Sequence, residues 1–222
     1  VSIGANAFKN ATIVNIDIPD KVSSIGMDAF YGSKLTNLTL NNTPAMALNN
    51  NQSVFATAVI DNLVMNNITA IPNYMFNYTS RINHLDVKEH LNGVGTNAFA
   101  NIEHVGNFTY NNTITEWNDC FVNTGLDSLT FEDGVGDIPA SLFSYTKYIN
   151  QLDLADTTSI GVMTFFGVDM SKCDVVLPET MTNIQDYAFE YSHIKYFKVN
   201  KNMHSYKAEN RPMWDVTIDL LE

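Results

Sequence analysis

The sequence predicts a repeat solenoid, a stack of similar coils in which one strand of each coil joins a parallel β-sheet. The first observation is an Ile-Gly-x-x-Ala-Phe motif that returns about every 22 residues, and a period of this length is typical of stacked repeats. The second is a Leu-x-x-Leu-x-Leu-like motif after each copy, whose end alternates apolar and polar residues as a half-buried strand does. The third is an Asp or Asn that follows many of these strands and favours a turn.

The Ile-Gly-x-x-Ala-Phe motif marks each repeat with a phenylalanine. The first copy spans residues 3–8 and the last clear copy spans residues 184–189, with steps of 21 to 25 residues between neighbouring phenylalanines. We expect the rings to stack as a core, with the small residue before each ring allowing the coils to approach. We assign the glycine of the motif to a turn in each coil. The phenylalanines are Phe8, Phe30, Phe55, Phe76, Phe99, Phe121, Phe143, Phe165 and Phe189.

The Leu-x-x-Leu-x-Leu-like motif predicts one strand in each repeat. Because the same strand returns once per coil, consecutive strands should pair in parallel and in register. Pro19 and Pro178 end their strands, since proline cannot donate a hydrogen bond to the ladder. Clear copies begin at Ile13, Leu35, Ile60, Ile82, Leu126, Ile149 and Ile194.

Several places depart from the repeat pattern. Trp117 and Cys120 make the sixth Ile-Gly-x-x-Ala-Phe copy irregular, and Lys172 occupies a place where the eighth strand motif requires an apolar residue. Residues 43–53 form a polar insertion that lacks the Ile-Gly element. Repeat proteins tolerate insertions, so we expect this segment to be a tolerated loop rather than a functional one.

The repeat pattern predicts a single elongated domain with two parts. Residues 1–200 form the solenoid, and residues 201–222 form a C-terminal capping segment with a final strand over the end of the stack. The chain lacks an initiator Met and starts partway through a repeat, so we expect it to be a segment of a longer protein. The apolar residues of the final strand are Met213, Trp214, Val216, Ile218 and Leu220.

Composition limits the possible partners. The 222 residues are 45% hydrophobic and 16% charged, with a formal net charge of −12, which indicates a folded protein and argues against binding nucleic acid or anionic lipid. No run approaches the roughly 18 consecutive apolar residues that cross a bilayer, so we expect no direct membrane insertion. Cys120 and Cys173 lie two repeats apart, beyond the reach of a disulfide, and are expected to be free thiols.

The sequence carries no recognisable catalytic or metal-binding pattern. The five histidines are scattered, neither cysteine has a Cys-x-x-Cys partner, and no glycine-rich phosphate-binding or nucleophile-elbow motif occurs. We therefore predict a protein that is not an enzyme and has no catalytic residue, metal site or cofactor.

Two rows of outward strand positions run along the predicted sheet, and we call them the first and second lanes. Their amides, hydroxyls and carboxylates could bind a peptide, glycan or protein surface, but any solvated sheet face must also be polar, and stacked amides also hydrogen-bond one another. Both interpretations remain open from the sequence. The first lane is Asn15, Asn37, Asn62, His84, Asn107, Ser128, Gln151, Asp174 and Tyr196, and the second is Asp17, Thr39, Val64, Asp86, Thr109, Thr130, Asp153, Val176 and Lys198.

Ten lane residues are the candidate binding site. We expect the contact zone to be centred on the middle strands, and we predict no metal ligand among them. The candidates are Asn37, Asn62, His84, Asp86, Asn107, Thr109, Ser128, Thr130, Gln151 and Asp153.

The repeat unit resembles that of BspA-like leucine-rich repeat proteins. Their unit reads roughly Leu-x-x-Ile-x-Ile-Pro-x-x-Val-x-x-Ile-Gly-x-x-Ala-Phe, and residues 13–30, IVNIDIPDKVSSIGMDAF, match it almost completely. The resemblance covers about residues 1–200. It implies a right-handed superhelix with a parallel β-sheet on the concave side and short strands, turns or 3-10 segments on the convex side. It also implies a likeness to secreted or surface-anchored attachment proteins of bacteria and parasitic protists.

These observations predict a non-enzymatic binding or adhesion module on the cell surface or outside the cell. It would recognise an extracellular protein or glycan through the concave face. The alternative is a structural spacer, or a subunit of a self-assembling surface array whose solenoid ends stack head to tail. Light scattering across concentration separates a monomer from end-to-end self-association.

Overall fold

The computed structural model describes residues 1–48, 50–202 and 215–222, and these residues contain strands and turns but no helix. The chain divides into two compact units. Unit 1 comprises Val1–Gly106 and Thr113–Thr124, and unit 2 comprises Asn107–Asn112 and Gly125–Glu222.

Long and short strands alternate along the chain. The long strands are β2 (Thr12–Ile18), β4 (Lys34–Leu40), β6 (Val59–Met65), β8 (Arg81–Val87), β10 (His104–Tyr110), β12 (Gly125–Phe131), β14 (Tyr148–Asp153), β16 (Asp169–Val176), β18 (His193–Lys198) and β19 (Thr217–Leu221). The short strands are β1 (Ser2–Ile3), β3 (Ser24–Ile25), β5 (Ala45–Met46), β7 (Ala70–Ile71), β9 (Gly93–Val94), β11 (Glu116–Trp117), β13 (Asp137–Ile138), β15 (Ser159–Ile160) and β17 (Asn183–Ile184).

Both units are parallel β-solenoids. In unit 1, β2, β4, β6 and β8 pair in parallel and in register, and the beginning of β10 continues the ladder. The short strands of unit 1 form the parallel ladders β1-β3-β5 and β7-β9-β11. In unit 2, the long strands pair in the order β12-β14-β16-β18-β19 and the short strands in the order β13-β15-β17. The predicted fold class is therefore confirmed.

The repeated phenylalanines form the core of each unit. In unit 1 the rings from Phe8 to Phe121 stack in succession, with centroids 5.1–5.6 Å apart. In unit 2, Phe143, Phe165 and Phe189 stack in the same way, at 6.0 and 5.3 Å. Offset stacking of aromatic rings adds to the stability that burial of their area provides.

The glycine of the repeated motif has a different role from the predicted one. A Cβ atom on Gly26 would lie 2.5 Å from the backbone nitrogen of Ala5 in the preceding coil, and one on Gly161 would lie 2.6 Å from that of Ala140. The left-handed backbone falls two residues after the glycine, for example at Asp28, where φ is 56°. Gly26 and Gly161 therefore leave no room for a Cβ against the preceding coil, and the left-handed turn is made two residues later.

The prediction that residues 43–53 lack the Ile-Gly element is wrong. Met46 pairs with Ile25 in the short-strand ladder. The backbone nitrogen of Ala47 donates to the carbonyl oxygen of Ile25 at 2.9 Å, as that of Gly26 donates to Ile3 at 2.8 Å. Met46 and Ala47 thus replace Ile and Gly, because methionine fills the same apolar place, and the extra residues follow them.

The eighth strand avoids placing Lys172 in the core. Strand β16 pairs Met170 with Ile194 and Asp174 with Tyr196, with a shift of register between these two pairs. Met170 is buried and supplies the apolar contact, whereas Lys172 is exposed. A bulge of this kind costs less than burying an unpaired ammonium group.

Both cysteines are free, as predicted, and both are buried. Burial raises the pKa of each thiol to about 12. We expect neither thiol to react with Ellman's reagent at pH 8 in the native protein, and both to react in 6 M guanidinium chloride, because the thiolate is the reactive form. Rapid labelling without denaturant would contradict this burial.

The C-terminal residues form the predicted final strand in part. Strand β19 pairs in parallel with β18, with Ile218 opposite Ile194 and Leu220 opposite Tyr196. Met213 and Trp214 lie outside the described residues.

Candidate functional site

The two lanes are continuous within unit 1. Asn15, Asn37, Asn62 and His84 occupy equivalent places on β2, β4, β6 and β8, and the second lane keeps the same register from Asp17 to Asp86. The structure therefore brings Asn37, Asn62, His84 and Asp86 onto one face of unit 1, as the sequence predicted.

Asparagine side chains of the first lane in unit 1 form hydrogen bonds with one another. The side-chain amide of Asn37 donates to the side-chain oxygen of Asn15 at 2.7 Å, and that of Asn62 donates to Asn37 at 2.9 Å. Each amide thus satisfies its neighbour, and the row stabilises the stack of coils. For Asn37 and Asn62, a structural role accounts for the observed contacts.

His84 and Asp86 differ from these asparagines. Both side chains are exposed, and Asp86 forms an ion pair with Lys88, the residue that follows the strand. Exposed ion pairs contribute little to stability, at most about 1 kcal/mol. Asp86 can therefore leave Lys88 and bind a ligand with little loss of folding stability. Among the candidates in unit 1, His84 and Asp86 are the residues whose side chains are not needed to stabilise the fold.

Unit 2 carries the remaining candidates. Ser128 pairs with Gln151, and Thr130 with Asp153. Gln151 and Asp153 are exposed, and Asp153 accepts a hydrogen bond from the backbone nitrogen of Ala155 at 2.9 Å, which closes the turn after its strand. Asn107, which is half-buried, and Thr109, which is exposed, also belong to unit 2.

A third polar row, which the sequence analysis missed, runs beside the first lane. In unit 1 the amide of Asn83 donates to the carboxylate of Asp61 at 2.9 Å, and in unit 2 that of Asn150 donates to Asp127 at 3.0 Å. These residues fill the first x of the Leu-x-x-Leu motif. The recurrence of Asp and Asn at that place was the signal.

Charged groups cluster at the C-terminal end of the unit 2 lanes. Lys195 contacts Asp174 at 2.8 Å, and Lys198 lies 3.5 Å from the carboxylate of Glu222. The hydroxyl of Tyr196 donates to Glu222, and this bond, followed by the charge of Lys198, holds the pKa of that carboxyl below its usual value. The ends of the lanes therefore present both charges to solvent.

Exposed tyrosines lie outside the lanes. Tyr78, Tyr145 and Tyr191 each come two residues after a core phenylalanine, have φ of 58–62°, and are 43–60% exposed. In unit 2, the ring of Phe166 contacts Tyr145 and Tyr191 edge to face, with both centroid distances 5.3 Å. Their position after the core phenylalanine could have identified them in the sequence.

The described residues hold no group of three or more His, Cys, Asp or Glu side chains placed to bind a metal ion. None of the described segments forms a helix long and apolar enough to cross a bilayer.

A family model matches most of the chain. The profile of the BspA type Leucine rich repeat region matches residues 1–120 and 117–210, with six copies. A crystal structure of a leucine rich cell surface protein from Faecalibacterium prausnitzii is similar over 99% of this chain and 82% of that one, at 16% identity and a TM-score of 0.34. No curated protein matches the chain significantly. Because the profile matches nearly the whole repeat region, the chain belongs to the BspA-type leucine-rich repeat family.

Proposed function

We propose that this chain is a non-enzymatic recognition module of a secreted or cell-surface protein, and that it binds an extracellular protein or glycan through the lanes. Family membership supports the surface location, since the BspA-like repeat implies a likeness to secreted or surface-anchored attachment proteins. The observation that carries the binding proposal is the exposure of His84 and Asp86 beside an amide row that is already satisfied.

The lanes contain both hydrogen-bonded amides and exposed side chains, and this combination favours recognition of a ligand over simple solvation. A rigid row of paired amides fixes the position of neighbouring side chains, and a preorganised surface loses less entropy on binding. His84 and Asp86 add a titratable ring and a carboxylate at adjacent places of one strand. Gln151 and Asp153 provide the corresponding exposed pair in unit 2.

We predict that the double variant His84→Lys, Asp86→Lys loses at least about tenfold in affinity for the ligand, which corresponds to about 1.4 kcal/mol. The new positive charges reverse the local potential and remove the carboxylate acceptor. The measurement is surface plasmon resonance against a panel of immobilised extracellular-matrix proteins and glycans.

The matched control is Glu89→Lys, His90→Lys, which makes the same change of charge in the exposed loop after β8. It should bind as the parent does. If the parent, the double variant and the control bind every ligand of the parent with equal affinity, His84 and Asp86 are not part of the binding site. Absence of any ligand, together with oligomers that grow with concentration, would favour the alternative of a self-assembling spacer.

A further inference from the structure

A surface depression of about 380 Å3 lies beside the short strands of unit 1. It is lined by β9 and β11, by the residues that follow them, and by Asn73, and none of its lining residues belongs to either lane. It is therefore separate from the surface proposed above.

The depression lies where one coil is a residue short. Trp117 pairs with Val94 in the short-strand ladder, so the indole takes the place of the motif isoleucine. Four residues separate Val94 from Phe99, but only three separate Trp117 from Phe121.

The missing residue is the glycine. The backbone nitrogen of Asn97 donates to the carbonyl oxygen of Asn118 at 3.3 Å, as that of Asn6 donates to Met27 at 3.0 Å. Asn118 is therefore equivalent to Met27, the residue after the motif glycine, and no residue stands where the glycine would.

Loss of this glycine explains the depression. In the fifth coil, Gly95 lies so close to the fourth that its Cβ would be 2.5 Å from the backbone nitrogen of Asn73. The sixth coil has no glycine to cover Gly95 and Thr96 in the same way. Gly95 and Thr96 consequently line the depression together with Trp117.

The lining combines an aromatic ring with uncharged polar groups and one carboxylate, that of Glu116. The indole of Trp117 is half-buried, and Asn73, Thr115 and Asn118 are exposed. The side-chain oxygen of Asn73 accepts a hydrogen bond from the backbone nitrogen of Thr96 at 2.8 Å, which fixes the orientation of the amide. Its amide nitrogen donates to no described residue.

We propose that this depression binds the ring of a neutral saccharide. A sugar ring has one face of C–H groups, which can pack on the indole, and a rim of hydroxyls that match amide and hydroxyl partners. The volume lies at the lower end of the range of about 300–1,000 Å3 for ligand sites, which suits one ring rather than an extended chain. Glu116 is the charged residue of the lining, and its carboxylate disfavours acidic sugars.

The test uses tryptophan fluorescence in the Trp214→Phe background, where Trp117 is the remaining tryptophan of the sequence. The probes are methyl hexosides, methyl N-acetylhexosaminides and the corresponding methyl uronides, up to about 10 mM, because single sugar rings bind weakly. We expect a saturable change with at least one neutral glycoside and an affinity at least about threefold lower for its uronide. Glu116→Gln should remove that difference.

Two variants separate the site from general effects on the fold. Trp117→Ile restores the residue of the regular motif and should abolish binding measured by calorimetry. Insertion of one glycine between Trp117 and Asn118 restores the regular spacing, should close the depression, and should also abolish binding. Both variants must still unfold cooperatively, and the His84→Lys, Asp86→Lys variant should bind the glycoside normally.

Three outcomes would overturn the proposal. They are the absence of a saturable change with any neutral glycoside, equal binding by the Trp117→Ile variant, and equal binding by the glycine-insertion variant. None of them bears on the lanes, whose ligand is tested with separate variants.

Discussion

Replacing Phe99 by alanine is expected to lower the free energy of unfolding by about 3–5 kcal/mol. The ring of Phe99 is fully buried and stacks on Phe76 and Phe121, both with centroid distances of 5.4 Å. Its removal leaves a cavity inside the ring column of unit 1, between two other rings, and neighbouring coils cannot collapse into it without breaking the strand ladders. Urea denaturation followed by circular dichroism measures the loss.

Two further variants identify the origin of this effect. Phe99→Leu keeps most of the buried volume but loses the stacking, so we expect a smaller loss of about 1–2 kcal/mol. Tyr78→Ala removes an exposed ring of the same unit and should change stability by less than about 0.5 kcal/mol. A loss for Phe99→Ala as small as that for Tyr78→Ala would show that the column is not a stabilising core.

The ring column and the strand register were predictable because both follow from the period of the sequence. Once Phe8 and Phe30 are recognised as equivalent, the parallel pairing of Asn15 with Asn37 follows without further information. Hydrogen bonds between stacked amides were expected along the first lane, but which asparagines form them was not predictable in the same way. The particular donor and acceptor depend on the side-chain conformations that the folded sheet imposes on each asparagine.

Features that arise from contact between coils were beyond the sequence. The need for Gly26 appears only when Ala5 of the preceding coil lies against it. The bulge at Lys172 was visible as a conflict, but its solution through Met170 requires knowledge of the register of β16. The depression at Trp117 depends on one missing residue. The sequence motif is recognised by its apolar positions, and these do not show how much space the loss of a residue leaves between coils.

Replacing Gly26 by alanine should lower the free energy of unfolding by about 1–3 kcal/mol. The new Cβ would lie 2.5 Å from the backbone nitrogen of Ala5 and 2.8 Å from the carbonyl carbon of Gly4. Backbone atoms of the preceding coil cannot move aside as the end of a flexible side chain can, so the two coils must separate locally. Urea denaturation measures this effect as well.

Gly4→Ala is the matched control, because Gly4 is the same motif residue in the first repeat and a Cβ there would meet no atom within 4 Å. Neither Gly4 nor Gly26 has a positive φ, so backbone strain affects neither variant. We expect Gly4→Ala to be neutral, or to stabilise by up to about 1 kcal/mol through the lower entropy of the unfolded chain. Equal losses in the two variants would mean that the glycine is needed for backbone conformation after all, whereas a loss confined to Gly26→Ala assigns it to the contact between coils.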